Sequence, residues 1–133
     1  GTVQFNGNSA LVCATYAPNS APAATDKAFF VATRSYLVVS ASEVHSVAAG
    51  GASTLQLVKD TSTNAPGTGT DLLTNNTNTG FDLAATANTP QVGTLTATVA
   101  TKTLAAGNRL SVDYANTIQS TAGVVVTACL APL

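Results

Sequence analysis

The chain has 133 residues, 8% of them charged and 45% hydrophobic, and its net charge is −1. That length fits one domain with one core, read here as 1–133. The five basic residues, Lys27, Arg34, Lys59, Lys102 and Arg109, are dispersed, which excludes the grouped positive charge of a nucleic-acid partner, and no apolar run approaches the roughly 18 residues of a membrane-spanning helix.

The surface implied by this composition is unusual. Soluble monomers cover themselves with Lys, Arg, Glu and Asp at roughly 25–35% of the surface. Here Thr, Ser and Asn must do that work, and Ala and Thr alone make up about a third of the chain. Near-zero net charge also weakens the repulsion that keeps copies apart. The composition is that of a part packed into an assembly. With no Trp and no Met, the core is expected from Val, Leu, Ala and a few aromatics. Gly at position 1 is what a trimmed initiator Met leaves, as proteolytic maturation also would, and the start lacks the basic and apolar regions of a signal peptide; on the first reading, synthesis in a cytosol is expected. In that compartment Cys13 and Cys129 are expected as reduced, buried thiols; a bridge between the first and last strands is open on geometry but not fixed by sequence.

The hydrophobic period is two almost throughout, which predicts strands. In chain order they fall near 10–16, 28–34, 36–41, 43–48, 53–60, 80–85, 93–100, 108–115 and 123–130. Pro18 and Pro22 make an irregular link after the first. Phe29 and Phe30 are adjacent, so one is expected inward and one outward. Ala49-Gly50-Gly51-Ala52 reads as a hairpin turn. Leu55 and Leu57 alternate with Gln56. Residues 61–79, rich in Thr, Asn and Gly, read as a long surface loop, in which Leu72-Leu73 is either a helical turn or an apolar plug. Leu95, Ala97 and Val99 alternate with threonines. Ala106-Gly107-Asn108 is a tight entry into Leu110, Val112 and Tyr114, which alternate with Ser111 and Asp113. In the last strand Val124, Val126 and Ala128 share one face, and Val125, Thr127 and Cys129 share the other. Both faces are apolar enough for a central or covered strand. The fold class expected is all-β: an antiparallel, jelly-roll-like β-sandwich of about eight strands.

Residues able to carry chemistry are few. His45 is the only histidine, so any Ser-His-Asp or Cys-His arrangement would need it; no motif surrounds it, and a solvated or interface position is expected. One His and two distant Cys fall short of a zinc set. The acids Asp26, Glu43, Asp60, Asp71, Asp82 and Asp113 stand singly, without a calcium-loop spacing; Asp60 and Asp71 flank the long loop and are expected as solvated loop-end residues, with a clip on the loop or a weak cation site as the alternatives. Pro66-Gly67-Thr68-Gly69-Thr70-Asp71 lacks the Lys of a phosphate loop. Asn75-Asn76-Thr77 has the glycosylation spacing, without meaning unless the chain is secreted. No catalytic residue, metal or cofactor is expected.

Six segments, taken together, are similar to the small decoration or cement proteins of tailed bacteriophages. They are Thr54–Asp60, Ala65–Leu73, Phe81-Asp82-Leu83, Asn88–Leu95, Leu104–Tyr114 and Gly123–Thr127, and the region they mark, from Val44 to the C-terminus, is about two thirds of the chain. It implies a jelly-roll body and a non-enzymatic structural role on the capsid exterior. Such a protein binds the major capsid protein, bridges neighbouring subunits and commonly forms a homotrimer. Contact with the capsid is then expected from Gly1, Thr2, Val3, Gln4 and Phe5, with residues 1–9 extended as an arm, and contact between copies from Phe29, Phe30, Val125 and Thr127. The alternative is a head-fibre, tail-fibre or carbohydrate-binding sandwich that recognises a host surface, with exposed aromatics near the 61–79 loop.

Overall fold

The computed structural model describes residues 10–18, 25–116 and 120–133. Ten strands form two antiparallel sheets. They are β1 (Val12–Tyr16), β2 (Lys27–Val31), β3 (Tyr36–Val44), β4 (Ser53–Asp60), β5 (Thr70–Asp71), β6 (Phe81–Asp82), β7 (Gln91–Val92), β8 (Thr103–Leu104), β9 (Arg109–Asn116) and β10 (Val125–Pro132). The first sheet runs β1-β10-β3-β7, with β8 also on β3; the second runs β2-β9-β4-β5, with β6 also on β4. β1 to β4 fall in the first and second sheets by turns; of the two late long strands, β9 inserts between β2 and β4 and β10 between β1 and β3. This wiring, with the short β5–β6 in the second sheet and β7–β8 in the first, is a jelly roll. Among the described residues no helix is long and apolar enough to cross a membrane.

Period-two patterning decides which side chains close the sandwich. Val126, Ala128 and Leu130 of β10 and Val38 and Ala41 of β3 meet Leu55, Leu57, Leu110 and Val112 of the second sheet, all buried. Tyr16 and Tyr114 cross the gap with their hydroxyls 2.8 Å apart. Burial and that partner push the Tyr114 hydroxyl well above the usual tyrosine range. The core is built from Leu, Val, Ala, Phe and Tyr, as the composition requires.

Several strand expectations are corrected. The segments 36–41 and 43–48 are one strand ending at Val44; β10 pairs along its whole length, and the break in pattern is a bulge at Val39-Ser40, opposite Cys129/Leu130. The Ala49–Ala52 turn joins no hairpin, because β3 and β4 lie in different sheets; it carries the chain across the sandwich. Residues 93–100 form no strand. Only Leu95 finds a partner, Leu73, in an isolated bridge, while Ala97 and Val99 are exposed. Alternation without a free sheet edge is not enough to make a strand. The 80–85 strand shrinks to Phe81–Asp82, and the two-residue β7 and β8 carry too little pattern to be read from sequence.

Candidate functional site

The two outer faces of the sandwich differ sharply. On the first sheet, the cross-strand rows that point outward are Thr15–Thr127–Ser42–Val92, Cys13–Cys129–Ser40, Val125–Val44 and Ala131–Leu37–Thr103. None of these side chains is charged. The central ones are half-buried by their neighbours, while Val39 and Val92 stand exposed at 41% and 78%. None of these side chains is fully buried by the described residues.

Cys13 and Cys129 are bonded on this face, which corrects the expectation of reduced, buried thiols. The antiparallel β1–β10 register sets them directly opposite, with Cα atoms 4.1 Å apart, a spacing typical of the close, non-hydrogen-bonded pairs of an antiparallel ladder. Cys13 is exposed and Cys129 half-buried.

The second sheet covers its own outer face. Asp60, at the end of β4, accepts hydrogen bonds from Gly67 N (3.1 Å), Gly69 N (2.9 Å) and Ser111 Oγ, and so clips the start of the 61–79 loop; it is fully buried, which corrects the expectation of a solvated loop end. A Cβ at Gly69 would run into the Lys59 carbonyl, so only glycine lets the loop approach β4 this closely. Gln56 then pins the far half. Its Nε2 donates to Leu73 O and Asn78 O, both at 3.0 Å, and its Oε1 accepts from Leu57 N and Leu73 N. Leu72 and Leu73 are buried as an apolar plug. The chain then turns through left-handed Asn76, Thr77 and Asn78. Asn is tolerant of that region and β-branched Thr is not.

Beside this docked loop the carboxyls gather, which corrects the reading of acids standing singly. Burial, together with the neighbouring Asp26 and Asp71, pushes Asp113 up to about 6. Asp26 is held in place by Tyr114 N, which donates to its Oδ1 at 2.9 Å. Among the described residues no three His, Cys, Asp or Glu are placed to hold a metal ion. Among the described residues, one face is therefore neutral and uncovered, and the other acidic and covered.

Phe29 and Phe30 both pack against the core. A bulge between Ala28 and Phe30 breaks the alternation, and the rings sit 6.0 Å from Tyr16 and 5.6 Å from Tyr36 respectively. The expectation that one points outward is corrected by that bulge; each is half-buried. Val125 and Thr127 lie on the outward side of β10, Thr127 in the row that crosses four strands and Val125 at the strand's first residue, beside Val44. Gly1, Thr2, Val3, Gln4 and Phe5 fall outside the described residues. Phe81 is fully buried, and among the described residues no aromatic is exposed near the 61–79 loop. A cavity of about 280 Å³ opens at the edge between β1 and β2, lined by Tyr16, Phe29, Pro18 and Lys27 among others.

His45 is fully buried, neither solvated nor at a surface. Its ring nitrogens lie 2.9 Å from Glu43 Oε1 and 2.8 Å from the Ala85 carbonyl. Nε2–H donates to the carbonyl, and Nδ1 shares one proton with the carboxyl. Burial alone would lower the imidazole, but Ala85 and Glu43 outweigh it and raise it; burial raises Glu43. Gln91 Nε2 donates to Glu43 Oε2 at 2.7 Å and Asn88 N donates to the His45 carbonyl. The pair thus ties the end of β3 to the 81–91 segment. Asn75, the candidate glycosylation position, is similarly occupied: its Nδ2 donates to Val92 O and its Oδ1 accepts from Thr94 N.

Compared with protein-family models, with curated proteins and with solved structures, the chain matches none. Sequence reasoning missed the neutral face as a whole, because its rows are assembled from β1, β3, β7 and β10, which are distant in the chain. The readable signal was the run from Val124 to Leu130, apolar on both sides.

Proposed function

We propose that this chain is a non-catalytic structural module of a protein assembly, acting as a decoration protein on the exterior of a bacteriophage capsid. The observation that carries the reading is the outward face of the first sheet, uncharged across four strands and not fully buried by any of the described residues. Burying such a face against protein costs little desolvation, because no ion has to leave water. The resemblance of the six sequence segments supplies the capsid as the assembly and the major capsid protein as its partner. The Cys13–Cys129 bond fits residence in an oxidising setting such as a virion surface, following synthesis in a host cytoplasm that would keep the thiols reduced. Bound copies would stabilise a shell by mass action, since they bind only the assembled state.

The test is co-sedimentation of the purified chain with expanded, DNA-free phage heads stripped of their own decoration protein. Saturable binding, with a rise in the heat resistance of the heads, is the expected result. A chain that stays in the supernatant at every shell concentration overturns the reading.

A further inference from the structure

We infer that the neutral face of the first sheet is a self-pairing surface, and that its occupant in solution is a second copy of this chain, packed face to face about a two-fold axis. The inference deepens the assembly reading above and rests on it for the role of that face.

A two-fold contact is self-complementary, so each side chain near the axis meets its own copy. Any charge there meets a like charge. The outward rows of β1, β10 and β3 carry none: Thr15, Thr127 and Ser42 cross the middle, with Val44 and Val125 beside them. The opposite face of the sandwich could not do this, since Asp26, Asp71 and Asp113 would face three more carboxylates. The small side chains also suit sheet-on-sheet packing at about 10 Å, with strands nearly aligned.

The size of the face sets the strength. Eight residues of β10 by up to four strands span about 26 by 19 Å, or roughly 450 Å² once the short β7 is allowed for. Two copies then cover roughly 900 Å², below the roughly 1,200 Å² of a stable specific interface and in the range of weak, transient contacts. The pair is therefore reversible, and mass depends on concentration.

The experiment is sedimentation equilibrium of the full, oxidised chain over a wide concentration range, with Thr127→Glu and Thr127→Lys as single variants and as an equimolar mixture. Thr127 is half-buried and outward, and circular dichroism checks that both variants fold. The wild type is expected to rise from one chain mass towards two. Each variant alone is expected to dissociate at least ten-fold more readily, and the mixture to recover the doubled mass, because Glu then meets Lys across the axis. A wild type that stays at one chain mass, one that reaches three, or a dimer indifferent to both variants overturns the inference. Shell binding by Thr127→Glu is read separately: a variant that cannot pair but still sediments with heads removes the second copy and leaves the decoration reading standing.

Discussion

Opening the Cys13–Cys129 bond should cost this protein a large share of its stability. The bridge joins residues 116 apart, so in the unfolded chain it closes a loop of nearly the whole protein. Loop-closure entropy at that length is worth about 4.8 kcal/mol at 25 °C. Measured bridges typically give less, about 2–4 kcal/mol, and the five residue pairs of β1 with β10 persist without it. A loss of about 3–4 kcal/mol is therefore expected. With an unfolding entropy of about 2.1 cal/mol/K per residue, the melting temperature falls by about 11–14 °C. Scanning calorimetry of the oxidised protein, the reduced protein and the Cys13→Ser/Cys129→Ser double variant measures it. The reduced protein and the variant should agree, because the effect lies in the covalent link and not in sulfur packing. A reduced protein melting within about 2 °C of the oxidised one would refute the reasoning, as would two titratable thiols in the native protein.

Four further outcomes concern polar groups that are buried or half-buried. Asp113 is raised to about 6 by burial and by Asp26 and Asp71, so its contribution is fully present below about pH 4 and lost as pH rises through 6; Asp113→Asn should stabilise by about 1 kcal/mol at pH 8, after discounting for solvent screening, and by nothing at pH 4, in urea titrations at each pH. Glu43→Ala leaves His45 buried without its carboxylate and should cost about 3–5 kcal/mol by the same measurement. Because His45 is raised by Ala85 and Glu43 against the effect of burial, its share of stability is present below about pH 6.5 and lost as pH rises through the folded value, which NMR titration of the ring locates. Asp60→Ala frees the amides of Gly67 and Gly69; their hydrogen exchange should accelerate at least ten-fold while β10 amides keep their rates.

The jelly roll was legible because its long strands carry the signal themselves. Leu55 and Leu57, Leu110 and Val112, and Val126 and Ala128 alternate cleanly, and β4 falls at 53–60 as read. The errors share a cause. Alternation records which side of a strand is apolar, not whether a neighbour exists, so Leu95-Thr96-Ala97-Thr98-Val99 looked like a strand that no sheet edge receives. Bulges at Val39-Ser40 and Phe29 reset the alternation, and nothing in a two-residue step announces them. Gln56 looked like one wet position between two leucines, yet its amide makes four hydrogen bonds, three of them to a loop 17 to 22 residues away. The same distance effect hid the Asp26–Asp71–Asp113 group and the opposed cysteines, which only the strand order brings together.

The most direct measurement is hydroxyl-radical footprinting of the chain when dilute and when assembled. Protection is expected at Leu37, Val39, Val44, Val92 and Val125 on the neutral face, with the 61–79 loop and the surface around Asp113 labelled equally in both states. Protection centred on the acidic face, or none on β3 and β10, would contradict assembly through the first sheet.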